Sequence, residues 1–273
     1  MITFPNAKIN LGLNIVSRRS DGYHNIETVF DPIPLTDSLE IVPAKGEQTT
    51  LTCYGRVVDC PPEKNLVMKA YRMMEAEYHL PPVDIYLVKH IPDGAGLGGG
   101  SSDASFCLKM LNEMFALGLT DDQLAAMAAK IGADCPFFIY NRPMMATGIG
   151  DEFAPIAVSL KGKAMLLVKP DVSVPTKVAY SQVVPAPAVI PIPQILSGDI
   201  STWQPALAND FEKSVFAQYP TLPSIKQLLV DCGAQYAAMS GSGSSIFGIF
   251  DSAELADAAE EKFAEYSHYV MHL

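Results

Sequence analysis

At 273 residues, 49% of them hydrophobic and 18% charged, the chain carries enough apolar content to bury a full core, as one large domain or two modest ones. A formal net charge of -11 at pH 7, with no Lys/Arg run, argues against a nucleic-acid or anionic-membrane partner, because both are recruited through basic surface. Five cysteines (Cys53, Cys60, Cys107, Cys135, Cys232) form an odd set without CxxC spacing and read as reduced, mostly structural thiols. The N-terminus MITFPNAKIN lacks the basic and apolar regions of a signal peptide, and no apolar run reaches membrane-span length, so a cytoplasmic protein is expected.

The first sixty residues read as strands at 7–16, 28–34, 38–42 and 49–54, short runs rich in Ile, Val, Leu and Thr broken by turn residues. A helix is predicted over 64–79, where Leu66, Val67, Ala70, Tyr71 and Met74 fall on one face. A strand at 83–88 then delivers the chain into the stretch PDGAGLGGGSS, residues 92–102. Beyond it, Ala104, Cys107, Leu108, Leu111 and Phe115 repeat with helical spacing, so a helix is expected to begin near Ser101 or Ser102. A second helix, 121–131, has Asp121 as its N-cap candidate and Gly132 as its stop. The later half predicts a strand at 164–169, a Pro-rich surface loop at 183–194, helices near 210–216 and 224–232, strands at 235–238 and 245–250, a helix at 253–266 and a final strand. Strands and helices interleave without a long βαβ series, which predicts an α+β fold, divided into residues 1–155 and 156–273.

Three phosphate-binding readings compete for the glycines. Gly94, Gly96 and Gly99 satisfy GxGxxG between a strand and a helix, but a dinucleotide-binding unit needs a second parallel strand ending in an acidic residue, and here a second helix follows. A P-loop needs a lysine that this chain lacks after Gly99. The third reading needs only what is present: glycines bring bare backbone N–H groups to a ligand, and the helix that follows adds unpaired amides and the positive end of its dipole. Such a loop binds polyphosphate; the bland alternative is a flexible surface loop.

The stretch PDGAGLGGGSSDA resembles the phosphate loop of the GHMP kinases, through Pro92, Gly96, Leu97, the glycine run, Ser101, Ser102 and Ala104. An extra glycine and Asp103 depart from the superfamily pattern and look like its branch acting on 4-diphosphocytidyl-2-C-methyl-D-erythritol. PNAKINLGLNI at 5–15, DGYHNIETVF at 21–30, GADCPFF at 132–138, NDFE at 209–212 and MSGSGSSIFGIF at 239–250 converge on that branch, DGYH most specifically. The resemblance implies ATP-dependent phosphorylation of the substrate's 2-hydroxyl in non-mevalonate isoprenoid synthesis. It also implies an N-terminal domain like domain 2 of ribosomal protein S5, a ferredoxin-like C-terminal domain, and an active site in the cleft between them. Mg²⁺ is expected to arrive with ATP, held by phosphates together with Ser102, since no His, Cys or carboxylate group has metal-cage spacing.

Asp134, between Gly132 and Pro136, is either a turn aspartate or an aimed carboxylate; it matches the family's catalytic aspartate, which takes the proton of the acceptor hydroxyl. Lys8, in an apolar strand, is either a snorkelling residue or a buried cation with a partner, and the resemblance places it beside that aspartate. Asn10 shares its side of the strand and is a substrate hydrogen-bond candidate. Tyr23 and His24 are either packing and surface groups or, as the resemblance implies, the ring that stacks on cytosine and the group that holds the base. Tyr180 matches the second ring, and Thr176 is either a helix cap or a substrate contact. Asn65 and Lys89 are an N-cap and a solvated lysine, or match positions near the adenine. With Pro92, Asp93, Gly94, Ala95, Gly96, Leu97, Gly98, Gly99, Gly100, Ser101 and Ser102 they complete the expected ATP site. Two other readings remain open, a kinase for a different small alcohol and a nucleotide-binding module without turnover.

Overall fold

A computed structural model describes residues 1–57, 60–204 and 206–273. In chain order, β1 (Ile2–Thr3), β2 (Asn6–Arg18), β3 (His24–Thr36), β4 (Ser38–Pro43) and β5 (Thr50–Gly55) precede α1 (Leu66–Tyr78). The strands β2 and β3 outrun the predicted 7–16 and 28–34, because pairing continues past the apolar runs to the turn at Asp21 and Gly22. Helix α1 buries Val67, Ala70, Tyr71 and Met74 as the periodicity requires. Asn65 caps it, its side chain accepting from the Val67 N–H at 2.9 Å.

Next come β6 (Val83–Lys89), α2 (Gly99–Met114), α3 (Asp121–Ala129), α4 (Cys135–Tyr140), β7 (Met144–Thr147) and β8 (Glu152–Pro155). Helix α2 begins two residues before the expected serines. Gly98 stands at its cap with φ +71°, a left-handed conformation that favours glycine, so Ser101 and Ser102 lie inside the first turn. Thr120, rather than Asp121, caps α3: its side chain accepts from the Gln123 N–H at 3.3 Å while Gln123 accepts from the Thr120 N–H at 2.9 Å. Asp121 and Asp122 instead occupy the first turn, where the helix dipole favours negative charge.

The remaining elements are β9 (Ala164–Lys169), α5 (Thr176–Tyr180), α6 (Ile192–Leu196), α7 (Phe211–Gln218), α8 (Thr221–Asp231), β10 (Tyr236–Met239), β11 (Ile246–Phe250), α9 (Ala253–Glu260) and β12 (Ser267–His272). The Pro-rich stretch carries no strand, but α6 starts inside it, with Pro193 in the first turn where a missing N–H costs nothing. Helix α9 stops six residues short of the predicted end and tightens into a 3₁₀ turn at Glu261–Phe263.

Among the described residues these strands form three four-stranded sheets, in the orders β1-β4-β6-β5, β2-β3-β7-β8 and β10-β11-β9-β12. In the first, β4 and β6 run antiparallel with Leu39 opposite Leu87 and Ile41 opposite Ile85, while β5 joins β6 in parallel. Mostly antiparallel sheets with helices outside a repeating βαβ pattern make the fold α+β, as expected. The chain forms two compact units, one of residues 1–7, 35–93 and 98–142, the other of residues 8–34, 94–97 and 143–273. The first has its core between α1, α2, α3 and the sheet of β4 and β6, through Leu39, Ile85, Tyr71, Met74, Cys107 and Leu111. In the second, the strands of the β9 sheet and α7, α8 and α9 bury Leu166, Val168, Phe211, Ile225, Phe250 and Phe263. Burial pushes the thiol of Cys107 far up and that of Cys135 to about 11, consistent with inert packed cysteines, and every cysteine is free. No helix among the described residues is long and apolar enough to cross a membrane.

Strand β3 buries a carboxyl that the sequence reading passes over. Asp31 is 7% exposed, and burial pushes its pKa up to about 7. The folded state therefore holds a proton that the unfolded chain releases near pH 4, so stability falls as pH rises from about 4 to about 7 and levels off above. Asp31→Asn is expected to gain roughly 2–4 kcal/mol at pH 8 and to flatten that decline, measured by chemical denaturation across pH. An unchanged pH profile in the variant would refute the assignment.

Candidate active site

The glycine loop leaves β6 and enters α2. Gly94, Gly96 and Gly98 take φ of +58°, +77° and +71°, and the alternating Ala95 and Leu97 are buried as anchors. Within the second unit, a Cβ on Gly96 would run into the carbonyl oxygen of Ser240, so only glycine fits this close approach. At the head of α2 the first amides have no helical partners. The Ser102 hydroxyl is fully buried there and has no hydrogen-bond partner among the described residues.

In the first unit, Lys89 is not a solvated lysine. It is 5% exposed, with its ammonium against Asp37 and 2.6 Å from Asp103. Asp37 also accepts from the backbone N–H groups of His90 and Ile91, at 2.5 and 2.9 Å, fixing the chain just before the glycines. Burial works against the Lys89 charge, but the Asp103 and Asp37 carboxylates outweigh it and hold its pKa above the ordinary lysine value. For Asp103, burial outweighs the attraction of Lys89, and its pKa is pushed up to about 7. Lys89 and Asp103 line a cavity of about 270 Å³ with Asn65, Leu66, Asp93 and Gly100, near the lower end of small-molecule pockets. Asp134 precedes α4 with φ -78° and ψ -15° and makes no capping hydrogen bond to that helix. The Ser105 hydroxyl of α2 donates to the Cys135 carbonyl at 2.7 Å, tying α2 to the residue after Asp134.

In the second unit, Lys8 is buried rather than snorkelling, at 3% exposure. Its ammonium donates to Asn10 Oδ1 at 2.7 Å and to the Gly96 carbonyl at 3.0 Å, and lies 4.7 Å from the centre of the Phe30 ring. Asn10 in turn donates to Thr28 at 2.9 Å, which donates to the Gly12 carbonyl at 2.5 Å. The strand alternation thus brings Lys8 and Asn10 together. The Gly96 carbonyl takes a second donor, the Ser240 hydroxyl, at 2.8 Å.

Of the aromatic residues read as the base site, His24 and Tyr180 come together. Tyr180 stacks on His24, with ring centroids 4.8 Å apart and planes 19° from parallel, and meets Phe211 edge-on at 4.7 Å. Tyr23 is 62% exposed. Thr176 opens α5 from an exposed position and does not cap it, since Pro175 stands at the cap. Sequence reasoning did not single out Asp37 or Asn209 and reached Ser240 only within the motif MSGSGSSIFGIF; Asp103 stood out only as a departure from the superfamily pattern. The only advance signal for Asn209 was the NDFE motif itself.

Residues 65–142 match the family described as GHMP kinases N terminal domain, and residues 192–268 the family described as GHMP kinases C terminal. The chain is 56% identical over 256 residues to 4-diphosphocytidyl-2-C-methyl-D-erythritol kinase of Bacteroides fragilis, covering 93% of each. It is 50% identical over 252 residues to the Cytophaga hutchinsonii protein of the same name, covering 92% of this chain and 93% of that one. Among solved structures, one of 4-(cytidine 5'-diphospho)-2C-methyl-D-erythritol kinase superposes with TM-score 0.86 at 32% identity, covering 99% of this chain and 98% of that one. The Methanococcus jannaschii mevalonate kinase shares the fold at TM-score 0.75 and 14% identity, covering 100% of this chain and 98% of that one.

Proposed function

The chain belongs to the GHMP kinases, within the branch of the 4-diphosphocytidyl-2-C-methyl-D-erythritol kinases, and from that membership we propose its reaction: transfer of the terminal phosphoryl group of ATP to the 2-hydroxyl of 4-diphosphocytidyl-2-C-methyl-D-erythritol. The products are the 2-phosphate and ADP, in the non-mevalonate route to isopentenyl diphosphate and terpenoids. The observation that carries this reading is the glycine loop running into the head of α2, where the buried Ser102 hydroxyl has no hydrogen-bond partner among the described residues.

Phosphoryl transfer asks a protein mainly to place two oxygens in line and to stabilise charge on the moving group. Asp134 takes the proton from the acceptor hydroxyl. Lys8, fixed by Asn10 and the Gly96 carbonyl, stabilises negative charge on the reacting oxygens. The loop from Pro92 to Ser102 holds the ATP phosphates. The cavity lined by Asn65, Lys89 and Gly100 takes the nucleotide's base, with the Lys89 charge committed to its two carboxylates. His24, Tyr180 and Tyr23 form the cytosine site, and Thr176 contacts the substrate. Mg²⁺ fits the donor set in that the Ser102 hydroxyl, unpartnered among the described residues, would offer one oxygen to an ion that keeps its phosphate ligands. When bound, Mg²⁺ neutralises charge on the phosphates. Free thiols and the use of ATP suit a cytoplasmic location.

Incubation with Mg-ATP and 4-diphosphocytidyl-2-C-methyl-D-erythritol, following ADP release beside phosphorus NMR, tests the reading. A monophosphate signal that grows in step with ADP supports it, and loss of turnover with an acceptor lacking the cytidine moiety supports the nucleotide specificity. ATP binding without turnover on this substrate would overturn it.

A further inference from the structure

The NDFE segment at the head of α7 has no part in the chemistry described so far, yet Asn209 and Phe211 are buried and the polar side chains of Asn209, Asp210 and Glu212 are all hydrogen-bonded. Asn209 is 3% exposed. Its amide donates to the Met239 carbonyl at 2.7 Å and the Gly241 carbonyl at 2.8 Å, and its oxygen accepts from the Phe211 N–H at 3.0 Å. Two donors and one acceptor are thus used, and reversing the amide would set its oxygen against two carbonyls. Those carbonyls bracket Ser240, whose hydroxyl holds the Gly96 carbonyl. Gly241 itself packs close: a Cβ there would stand 3.4 Å from both Gly96 Cα and Asn10 Oδ1. The Gly96 carbonyl and Asn10 Oδ1 are the two acceptors of the Lys8 ammonium named above. Hydrogen bonds joined by the backbone of the 239–241 turn therefore connect Asn209 to Gly96 and Lys8.

We infer that Asn209 is a positioning residue for phosphoryl transfer, setting the 239–241 turn and through it the Gly96 carbonyl and the Lys8 ammonium; the inference rests on the kinase reading above. Glu212 supplies a separate hold on the same turn, accepting from the Met239 N–H at 2.9 Å and pairing with Lys226 at 2.6 Å. Loss of Asn209 therefore frees the carbonyls on either side of Ser240 while the end of β10 stays anchored. Small misplacements of a group that acts on the reacting oxygens cost rate rather than affinity.

Asn209→Ala is expected to lower kcat by about 10- to 100-fold with KM for ATP and for the acceptor within about 3-fold. Ser240→Ala, which removes one hydroxyl further along the chain, is expected to do the same, and the double variant to be no slower than the worse single one, because both act through one carbonyl. NMR of ¹³C-labelled lysine gives a readout independent of turnover. The Lys8 side-chain signal, assigned by its loss in Lys8→Arg, shifts in Asn209→Ala and in Ser240→Ala. If Asn209→Ala does not fold, Ser240→Ala decides alone. An unmoved Lys8 signal, or additive losses with KM and kcat falling together, overturns the inference. Absence of turnover in the unsubstituted protein would instead refute the kinase reading, leaving the Lys8 signal to judge the coupling.

Discussion

Replacing Asp134 with asparagine is expected to lower kcat by about 100-fold or more while leaving ATP affinity close to that of the unsubstituted protein. The substitution keeps the shape of the side chain and the backbone that presents it. That backbone is held independently, by the turn after α3 and by the Ser105 hydroxyl on the Cys135 carbonyl at 2.7 Å, so the variant should fold. What it loses is the capacity to accept a proton. A general base positioned on an attacking hydroxyl contributes about 10²–10⁴-fold, and ATP, whose phosphates are assigned to the glycine loop, does not depend on it for binding. Equilibrium binding of a non-hydrolysable ATP analogue, beside single-turnover phosphorylation, separates the two effects. Unchanged turnover would remove Asp134 from the role of base, and a matching loss of nucleotide affinity would make it a binding residue instead.

What the sequence made legible was whatever is local. The stripe of α1 and the period of α2 declare themselves within a dozen residues, and glycines report backbone conformations that other residues rarely adopt, which is why the loop could be read as a ligand cradle. The start of α2 was misplaced by two residues because a glycine cap contributes no side chain to recognise. The strands β7 and β8 and the helix α4 are four to six residues long, too short for a period to show. A single cut near residue 155 follows from reading the chain in order, while the grouping of residues 8–34 and 94–97 with 143–273 rests on long-range packing that no local pattern carries. Long-range polar contacts were the least legible. Ser240 and Gly96 are separated by 144 positions and Lys89 and Asp37 by 52, and only strand register and loop packing bring them together. The exposed Tyr23 and the His24–Tyr180 stack likewise reflect which ring the turn at Asp21 and Gly22 turns inward, information absent from the motif DGYH.

The buried charge cluster makes the second large prediction, and it concerns stability. Lys89→Met is expected to cost about 3–5 kcal/mol at pH 7, because it removes the cation paired with both Asp37 and Asp103 and leaves two carboxylates at 0% and 2% exposure without it. Methionine fills nearly the same volume, so the loss reports charge rather than a cavity. The sign with pH follows from the carboxylates. In the unsubstituted protein Asp103 already has its pKa raised to about 7 by burial, and without Lys89 the proton is held more tightly still. The deficit of the variant should therefore shrink as pH falls toward 5, where one carboxyl is neutral, and widen toward pH 8. Asp103→Asn in the Lys89→Met background should recover most of the loss, since it removes the same repulsion without a proton. Asp37 cannot be spared in that way: it also holds the His90 and Ile91 amides that lead into the glycine loop, so Asp37→Asn should weaken ATP binding as well as stability. Guanidinium denaturation of these variants at pH 5 and pH 8 decides the matter. A Lys89→Met cost below about 1 kcal/mol, or one independent of pH, would mean that the cluster is held together by packing around neutral groups and not by the ion pairs.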